Sequence, residues 1–265
     1  MKPTNKALQF EPRRQSWQVL TKVPQITVLF WVIKLLTTAM GEAASDYAVQ
    51  RYNPYLTVLA GFMVFAVALI IQLRQQKYVP WAYWLAVAMV AVFGTMAADV
   101  LHIQLGIPYA ATAVFFAVAL AVIFAIWHRS EGTLSIHSVH TFKREAFYWL
   151  TVLTTFALGT ATGDLTAISL HLGYLSSGLL FAVIFALPAI GYKVFRLNAV
   201  FAFWFAYIIT RPFGASFADW IGKAKAVGGL GLGDGTVALV LALAIILLVG
   251  YVQLTGIDRQ TKQLN

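Results

Sequence analysis

The sequence has 265 residues, of which 60% are hydrophobic and 11% charged, and its mean hydropathy is +0.76. This apolar content exceeds what the core of a soluble domain requires, so the composition excludes a soluble protein and indicates a polytopic membrane protein. The absence of cysteine excludes disulfides and thiolate metal sites. The net charge of +9 would suit nucleic acid, but the basic residues cluster in alternate loops, as membrane topology requires. We therefore predict the lipid bilayer, and no nucleic acid, as a partner.

Eight apolar stretches, each long enough to cross a bilayer as a helix, follow one another along the chain. Their predicted bounds are 24–45, 55–73, 81–101, 108–127, 146–166, 172–193, 199–219 and 235–254. Turn residues such as Asn53-Pro54 and Gly173 separate consecutive spans. The sequence predicts an all-α polytopic bundle of eight transmembrane helices in a single domain over 23–256. Residues 1–22 and 257–265 are predicted as cytoplasmic segments.

One pattern occurs four times and divides the domain into repeats of two spans each. An aromatic residue and a tryptophan are followed, ten residues after the tryptophan, by glycine and, fifteen after it, by aspartate. The copies are Trp31, Gly41 and Asp46; Trp84, Gly94 and Asp99; Trp149, Gly159 and Asp164; and Trp204, Gly214 and Asp219. The repeats cover about 24–75, 80–128, 145–195 and 199–254. Because two spans return the chain to its starting side, the repeats are parallel, and they form either a pseudo-fourfold ring or two halves.

Basic residues outside the spans are divided unequally between the two sides. One side consists of the terminal segments and the loops after spans 2, 4 and 6; it holds Lys2, Lys6, Arg13, Arg14, Lys22, Arg74, Lys77, Arg129, Lys143, Arg144, Lys193, Arg196, Arg259 and Lys262. The other side holds Arg51, Lys223 and Lys225. Since cytoplasmic loops carry the excess of Lys and Arg, we expect both termini in the cytoplasm.

The repeated tryptophan and glycine each allow two interpretations. The tryptophan is either an anchor at the membrane interface, which we favour, or a packing residue inside the bundle. The glycine either lets two helices approach closely, which we favour, or bends the helix and exposes backbone carbonyls. Pro212, two residues before Gly214, supports a bend in the fourth copy. We also expect interfacial anchors at Trp17, Trp81, Trp127 and Trp220.

Charged residues inside the spans are the main candidates for function. The repeated aspartates lie about 22 Å of helix beyond the tryptophans, and a carboxylate in hydrocarbon marks a functional site unless it is a wetted helix end. Span 1 adds Lys34, Thr38 and Glu42, which with Asp46 are spaced by four and form one polar stripe. Span 7 adds Arg211. We expect Lys34 and Arg211 to have carboxylate partners, either as structural ion pairs or in a gating or proton-coupling role.

Hydroxyl and imidazole groups accompany the acids. Threonine and serine near the aspartates supply the oxygen ligands that Mg²⁺, Mn²⁺ and alkali cations prefer. His102 follows Asp99 by three residues, so the two can face the same side of a helix end and are candidate metal ligands. A structural histidine with its hydrogen bonds satisfied is the alternative.

Four short stretches of the first repeat carry a resemblance to a known family. They are Lys22-Val23-Pro24-Gln25-Ile26-Thr27, Phe30-Trp31, Lys34-Leu35-Leu36-Thr37-Thr38 and Gly41-Glu42-Ala43-Ala44-Ser45-Asp46. Over roughly 22–256 the chain resembles bacterial integral membrane proteins built from four tandem two-helix repeats with a characteristic tryptophan, a repeat of unknown function. The resemblance implies a multi-pass protein of the bacterial inner (plasma) membrane and implies no substrate.

We predict a cation transporter or exporter, with divalent metal ions among its candidate substrates, in which acids of the odd spans converge on a secondary or channel-like pathway. The expected pathway residues are Glu42, Asp46, Asp99, Asp164, Asp219, Lys34, Arg211, Thr38 and His102. The alternative is a non-transporting scaffold or accessory protein whose acids form structural ion pairs. The sequence contains no nucleotide-binding or zinc-protease motif, so we predict no enzymatic activity and no cofactor. The oligomeric state stays open.

Overall fold

The structure, a computed structural model, describes residues 21–258. Within this range it contains eight long helices and no strand, which confirms the predicted all-α bundle. The helices are α1 (Val28–Arg51), α2 (Pro54–Leu73), α3 (Pro80–Asp99), α4 (Tyr109–Glu131), α5 (Phe142–Asp164), α6 (Tyr174–Phe195), α7 (Ala199–Gly222) and α8 (Asp234–Thr255). The predictions for residues 1–20 and 259–265, including Trp17 and the terminal basic residues, lie outside the described residues.

Seven of the eight helices are long and apolar enough to cross a membrane, which confirms a multi-pass membrane protein. The exception, α5, has 23 residues but begins with charged residues and carries Thr151, Thr154, Thr155, Thr160 and Thr162. These hydroxyls lower its hydropathy, and several are satisfied within the helix; the Thr155 hydroxyl, for example, donates to the Val152 carbonyl at 2.6 Å. Because α5 packs between α3 and α7, it takes the same place in the bundle as the other odd helices.

The four odd helices form a closed ring, which we call the helix ring (α1, α3, α5 and α7). Both α1 and α5 pack against α3 and α7. Each even helix packs chiefly on the odd helix of the next repeat: α2 on α3, α4 on α5, α6 on α7, and α8 on α1. The contact between α8 and α1 closes the cycle. The structure therefore adopts the pseudo-fourfold ring rather than two separate halves.

The helix ring is buried and the even helices surround it. In α1, 56% of the apolar segment is buried, against 22% in α2. The even helices are apolar on all sides, which suits contact with lipid on one side and with the helix ring on the other. Polar side chains of the odd helices therefore face one another across the interior of the ring.

The repeated aromatic pairs close one end of the helix ring. The aromatic residue of each repeat packs against the tryptophan of the next repeat, at 5.6 to 6.0 Å between ring centroids, as Phe30–Trp84, Tyr83–Trp149, Tyr148–Trp204 and Phe203–Trp31. We call this the aromatic end, and the opposite end, with the four repeated aspartates, the carboxylate end. Trp84, Trp149 and Trp204 are buried, so the anchor interpretation is wrong for these three and the packing interpretation is correct; Trp31 is half-buried and packs on Phe185 and Phe203. Trp127 was also expected as an anchor, but it is fully buried against Trp204, whereas Trp81 is exposed.

The repeated glycines follow the same cyclic rule. Each packs against the next repeat, at the residue seven positions after its tryptophan, as Gly41 on Ala91, Gly94 on Phe156, Gly159 on Arg211 and Gly214 on Thr38. A Cβ atom at any of the four would overlap its neighbour. The packing interpretation is therefore confirmed. Although Pro212 precedes Gly214, α7 continues through both residues to Gly222.

Candidate functional site

The polar stripe of α1 lies inside the helix ring, as predicted. Lys34, Thr38 and Glu42 are buried, and the Asp46 side chain is 15% exposed at the carboxylate end. The Thr38 hydroxyl donates to the Leu35 carbonyl of its own helix at 2.7 Å. Thr38 therefore contributes its backbone carbonyl, rather than its hydroxyl, to the polar interior.

Arg211 joins α7 to the other three helices of the ring. Its guanidinium donates to the Glu42 carboxylate, to the Thr95 hydroxyl and, at 2.6 Å, to the Thr160 hydroxyl. It also lies 3.4 Å from the Thr38 carbonyl. The predicted carboxylate partner of Arg211 is thus confirmed as Glu42.

The contacts of Arg211 depend on differences among the repeats. Glu42, Thr95 and Thr160 each stand eleven residues after the repeated tryptophan, whereas the fourth repeat has Ala215 there. In the fourth repeat the polar group comes instead from Arg211, one helical turn before Ala215. Gly159 makes this arrangement possible, because a Cβ atom there would overlap the Arg211 side chain.

Lys34 has aromatic partners where the sequence analysis expected a carboxylate. Its Nζ lies 3.9 Å from the centroid of the Phe156 ring and 4.2 Å from that of Tyr207, and the residue is 1% exposed. Within residues 21–258 it forms no ion pair. The ion-pair expectation is therefore wrong for Lys34: Glu42, eight residues along α1, binds Arg211 instead, and two aromatic faces contact the ammonium.

Three acids from three helices converge beside Arg211. One oxygen each from Glu42 of α1, Asp164 of α5 and Asp219 of α7 lie within 4.8 Å of one another. We call these residues the acid triad. Opposite oxygen ligands lie about 4.2 Å apart around Mg²⁺ and about 4.6 to 5.2 Å apart around Ca²⁺, so the spacing of the triad suits a hard cation.

The remaining acids of the stripe and repeats have different surroundings. Lys223, at the end of α7, forms ion pairs with Asp46, with Asp219 at 3.8 Å and with Asp234 at 3.6 Å. Burial disfavours its charge, but the carboxylates of Asp46 and Asp219 outweigh that effect and raise the pKa of Lys223. From the sequence alone, Lys223 is only a loop charge; its position four residues after Asp219 is the signal that could have predicted the ion pair.

Asp99 and Asp164 make no ion pair or hydrogen bond among residues 21–258. Each is followed directly by a π-helical turn, over Val100–Gln104 and Leu165–Ser169. The other two odd helices continue as α-helices past Asp46 and Asp219. Since π-helical turns occur often at functional sites, this irregularity agrees with a special role for the two unpaired acids.

His102 has the contacts of a structural histidine. Its Nδ1 donates to the Ile107 carbonyl at 2.8 Å, and its ring stacks on Tyr109 at 3.5 Å between centroids. Asp99 and His102 are not members of the acid triad. Their role as metal ligands stays a prediction.

Three buried tyrosines lie on the aromatic side of Lys34: Tyr207 contacts the ammonium, and Tyr83 and Tyr148 belong to the aromatic end itself. Their hydroxyls were not among the predicted site groups. The hydroxyls of Tyr83 and Tyr148 are 2.5 Å apart. The hydroxyl of Tyr207 is buried and has no hydrogen-bond partner among residues 21–258. The available signal was that the aromatic position before the tryptophan is Tyr in the second and third repeats but Phe in the others.

Comparison with known proteins identifies the repeat. A family model described as Repeat of Unknown Function (DUF347) matches the chain over residues 29–78, 82–133, 147–197 and 202–257. These segments correspond to the four two-helix repeats and confirm the resemblance to a family of tandem repeats. No curated protein and no solved structure matches the chain. We therefore infer the function from the geometry of the helix ring.

Proposed function

The chain belongs to the DUF347 repeat family, and we propose that it is a cation transporter whose substrate site is the acid triad. The observation that carries the proposal is the convergence of Glu42, Asp164 and Asp219 from three different helices of one ring. Their separation along the chain means that only the fold brings them together. A site shared by three helices can also change its geometry when those helices move.

The charge balance at the carboxylate end supports cation binding. Arg211 pairs with Glu42, and Lys223 pairs most closely with Asp46. Asp164 has no basic partner among the residues that the structure describes. An unpaired carboxylate within a bilayer is costly, and a bound cation or proton removes that cost.

The ligand chemistry supports a hard cation. The acid triad offers carboxylate oxygens only, and the chain contains no cysteine. Mg²⁺, Ca²⁺ and Mn²⁺ prefer such oxygen ligands, whereas softer metals select sulfur or imidazole. We therefore favour a divalent ion of the Mg²⁺, Mn²⁺ and Ca²⁺ group as the substrate.

The two ends of the helix ring suit a gated carrier in this conformation. At the aromatic end the interior is filled by Trp84, Tyr83 and Tyr148, which are at most 2% exposed. Passage of a metal ion would require this layer to open, as in alternating access. The sequence has no nucleotide-binding motif, so we propose transport driven by an ion gradient and no enzymatic activity.

The unequal distribution of basic residues between the two sides predicts how the protein is oriented in the membrane. We propose an inner-membrane protein whose aromatic end, with both termini, faces the cytoplasm and whose carboxylate end faces outward. Reporter fusions after residues 50, 105, 170 and 225 should then give the outer-side signal, and fusions after 76, 135 and 195 the cytoplasmic signal. The reverse pattern would mean that the carboxylate end faces the cytoplasm and the aromatic end faces outward.

The test is Mn²⁺ uptake into vesicles reconstituted with the purified protein. Asp164→Asn keeps the shape of a triad side chain and removes its charge, so uptake should fall to the level of protein-free vesicles. The matched control is Glu131→Gln, because Glu131 binds Lys143 and Arg144 at the other end of the molecule and lies outside the acid triad. Equal uptake by the Asp164→Asn variant and the wild type would contradict the proposal.

A second candidate function is a membrane scaffold, and the contacts of Arg211 favour it. One side chain that binds α1, α3 and α5 is a structural clamp, and Lys223 similarly joins α1, α7 and α8. In a scaffold the acids would be partners in structural ion pairs and would bind no substrate. Wild-type vesicles that take up no Mn²⁺, Mg²⁺ or Ca²⁺ while the protein stays folded would favour the scaffold.

A further inference from the structure

Lys34 lies at the boundary between the polar and aromatic parts of the helix ring. Its ammonium contacts Phe156 and Tyr207, and the guanidinium of Arg211 lies 5.5 Å from the same Phe156 ring. Phe156 thus separates the layer of Arg211 and Glu42 from Lys34. Eight residues of α1, roughly 12 Å of helix, separate Lys34 from Glu42.

Hydroxyl groups continue from Lys34 toward the aromatic end. Tyr207 lies under the ammonium, and its buried hydroxyl has no hydrogen-bond partner among residues 21–258. The paired hydroxyls of Tyr148 and Tyr83 follow, 2.5 Å apart. The Tyr83 ring packs against Tyr78 at 5.7 Å, and the Tyr78 hydroxyl donates to Asp258, which follows α8.

We propose that Lys34, Tyr207, Tyr148 and Tyr83 form a proton-transfer path through the closed aromatic half of the helix ring. The coupling part of this inference rests on the proposed function: cations would bind at the acid triad while protons pass the aromatic half. Proton passage and cation transport are separately measurable, so the path can be tested even where the transport proposal fails.

The packing explains why protons, but not metal ions, can use this half while the aromatic layer is closed. Tyr83, Tyr148 and Tyr207 are at most 1% exposed, so no open channel surrounds them. A hydrated or partly hydrated metal ion cannot pass such a layer. A proton needs only donor and acceptor atoms about 3 Å apart, which small side-chain rotations can provide.

The transfer balances without any further reactant. The Lys34 ammonium gives one proton to the Tyr207 oxygen as the Tyr207 O–H proton moves to the Tyr148 oxygen, and Tyr148 passes its own proton to Tyr83. Tyr83 passes its own proton to Tyr78 as the Tyr78 O–H proton moves to the Asp258 carboxylate, which releases it to water at the aromatic end. Each hydroxyl ends with one proton, and Lys34 becomes a neutral amine until it is protonated again from the carboxylate end. Lysine can complete this cycle because its amine releases a proton, which arginine does not.

The charged neighbours of Lys34 favour an amine that gains and loses its proton over one that is permanently charged. From α7, Arg211 lies beyond Phe156 and its positive charge disfavours a permanent second cation there. The acids of the packed helices do not contact it. Glu42 and Asp46 on α1 itself, Asp99 on α3, Asp164 on α5, Asp219 on α7 and Asp234 on α8 belong to the carboxylate end, and Glu145 on α5 pairs with Lys22. No acid holds Lys34 in its charged form by direct contact among residues 21–258.

The experiment uses vesicles that contain the full-length protein and a pH-sensitive dye. A potassium diffusion potential drives protons inward in the absence of divalent metal ions, and a Mn²⁺ gradient is applied in a second arm. We expect wild-type vesicles to acidify faster than protein-free vesicles in the first arm and to show proton movement opposite to Mn²⁺ in the second.

Two variants test the path and one serves as the control. Lys34→Arg keeps the positive charge and Tyr207→Phe keeps the ring, so each should reduce proton movement at least about tenfold. Both variants should keep the Mn²⁺-induced rise in thermal stability, because neither residue touches the acid triad. Tyr192→Phe is the matched control, since Tyr192 is an exposed residue of α6, and it should conduct like the wild type.

Each outcome separates the two proposals. Wild-type proton movement that equals that of protein-free vesicles, or that survives unchanged in both Lys34→Arg and Tyr207→Phe, overturns the path. Mn²⁺ uptake without proton movement overturns the path and leaves the transport proposal intact. Proton movement that depends on Lys34 and Tyr207, without Mn²⁺ uptake, supports the path and contradicts the transport proposal.

Discussion

The two ends of the helix ring use the four repeats differently. At the aromatic end every repeat makes the same contact with its successor, from Phe30–Trp84 around to Phe203–Trp31. At the carboxylate end every repeat supplies an aspartate, but Asp46 binds a lysine while Asp99 and Asp164 have no ion pair among the described residues. The comparison indicates that the shared tryptophans and glycines build the bundle, whereas the polar site combines shared aspartates with charged residues found in only one repeat.

The residues that depart from the repeat are concentrated on two neighbouring helices. Lys34 and Glu42 occur only in the first repeat and Arg211 only in the fourth, and α1 packs directly against α7. The symmetric glycine contacts let these helices approach closely enough for Arg211 to reach Glu42. The symmetric scaffold is therefore what positions the asymmetric site.

Removing a side chain from the aromatic layer should have the largest effect on stability. Trp204→Ala deletes a buried ring that contacts Tyr148 and Trp127, and it should lower the free energy of unfolding by about 3 to 5 kcal/mol. Thermal unfolding in detergent measures the change. Trp81→Ala removes an exposed tryptophan and is the control; equal losses in the two variants would contradict a packing role for the repeated tryptophan.

Breaking the clamp at Arg211 should have the next largest effect. Arg211→Met leaves Glu42 buried without its base, which should cost about 3 kcal/mol, as for other buried ion pairs that lose one partner. Replacing both residues, as Arg211→Met with Glu42→Gln, removes the unpaired charge and should recover most of the loss. A double variant no more stable than Arg211→Met alone would mean that the pair with Glu42 is not what the arginine stabilises.

Adding one methyl group at the repeated glycines should have a moderate effect. Gly41→Ala places a Cβ atom onto Ala91 of the next repeat and should cost about 1 to 3 kcal/mol through overpacking. A Cβ atom added at Gly250 in α8 would meet open space, so Gly250→Ala should be neutral or slightly stabilising. Similar unfolding temperatures for the two variants would contradict the close approach of α1 and α3.

The smallest expected effect concerns pH and Lys223. Because its pKa is raised, its ion pairs contribute to stability fully below the ordinary lysine value of 10.5 and lose that contribution only as the pH rises above it. The difference in unfolding temperature between the wild type and Lys223→Met should therefore stay constant from about pH 8 to 10 and shrink at higher pH. A difference that already shrinks near neutral pH would mean that another group titrates at this site.

The repeats made much of the fold predictable from sequence. The spacing of Trp31, Gly41 and Asp46 recurs four times, and it placed the odd spans and the close-packing glycines. The spacing shows which positions of the four repeats are equivalent, but it does not show which repeat each position contacts. The packing of α8 on α1, and hence the ring, therefore had to come from the structure.

The site was less predictable because its contacts join different layers of different repeats. Lys34 meets Tyr207, which stands at the equivalent position of the fourth repeat, and Phe156, which stands four positions later in the third. The spacing within α1 does not show that Lys34 contacts these repeats. The repeated tryptophans misled for a different reason: interfacial anchors and packing residues share the same place near a span end. Buried surface, which the sequence does not contain, distinguishes the two.

Anomalous X-ray scattering from crystals grown with Mn²⁺ tests the central claim most directly, because it locates the bound ion. The account predicts a peak at about 2.0 to 2.6 Å from carboxylate oxygens of Glu42, Asp164 and Asp219, and no peak there in the Asp164→Asn variant. Mn²⁺ that occupies other positions while the acid triad stays empty, at concentrations that saturate binding in solution, would contradict the account.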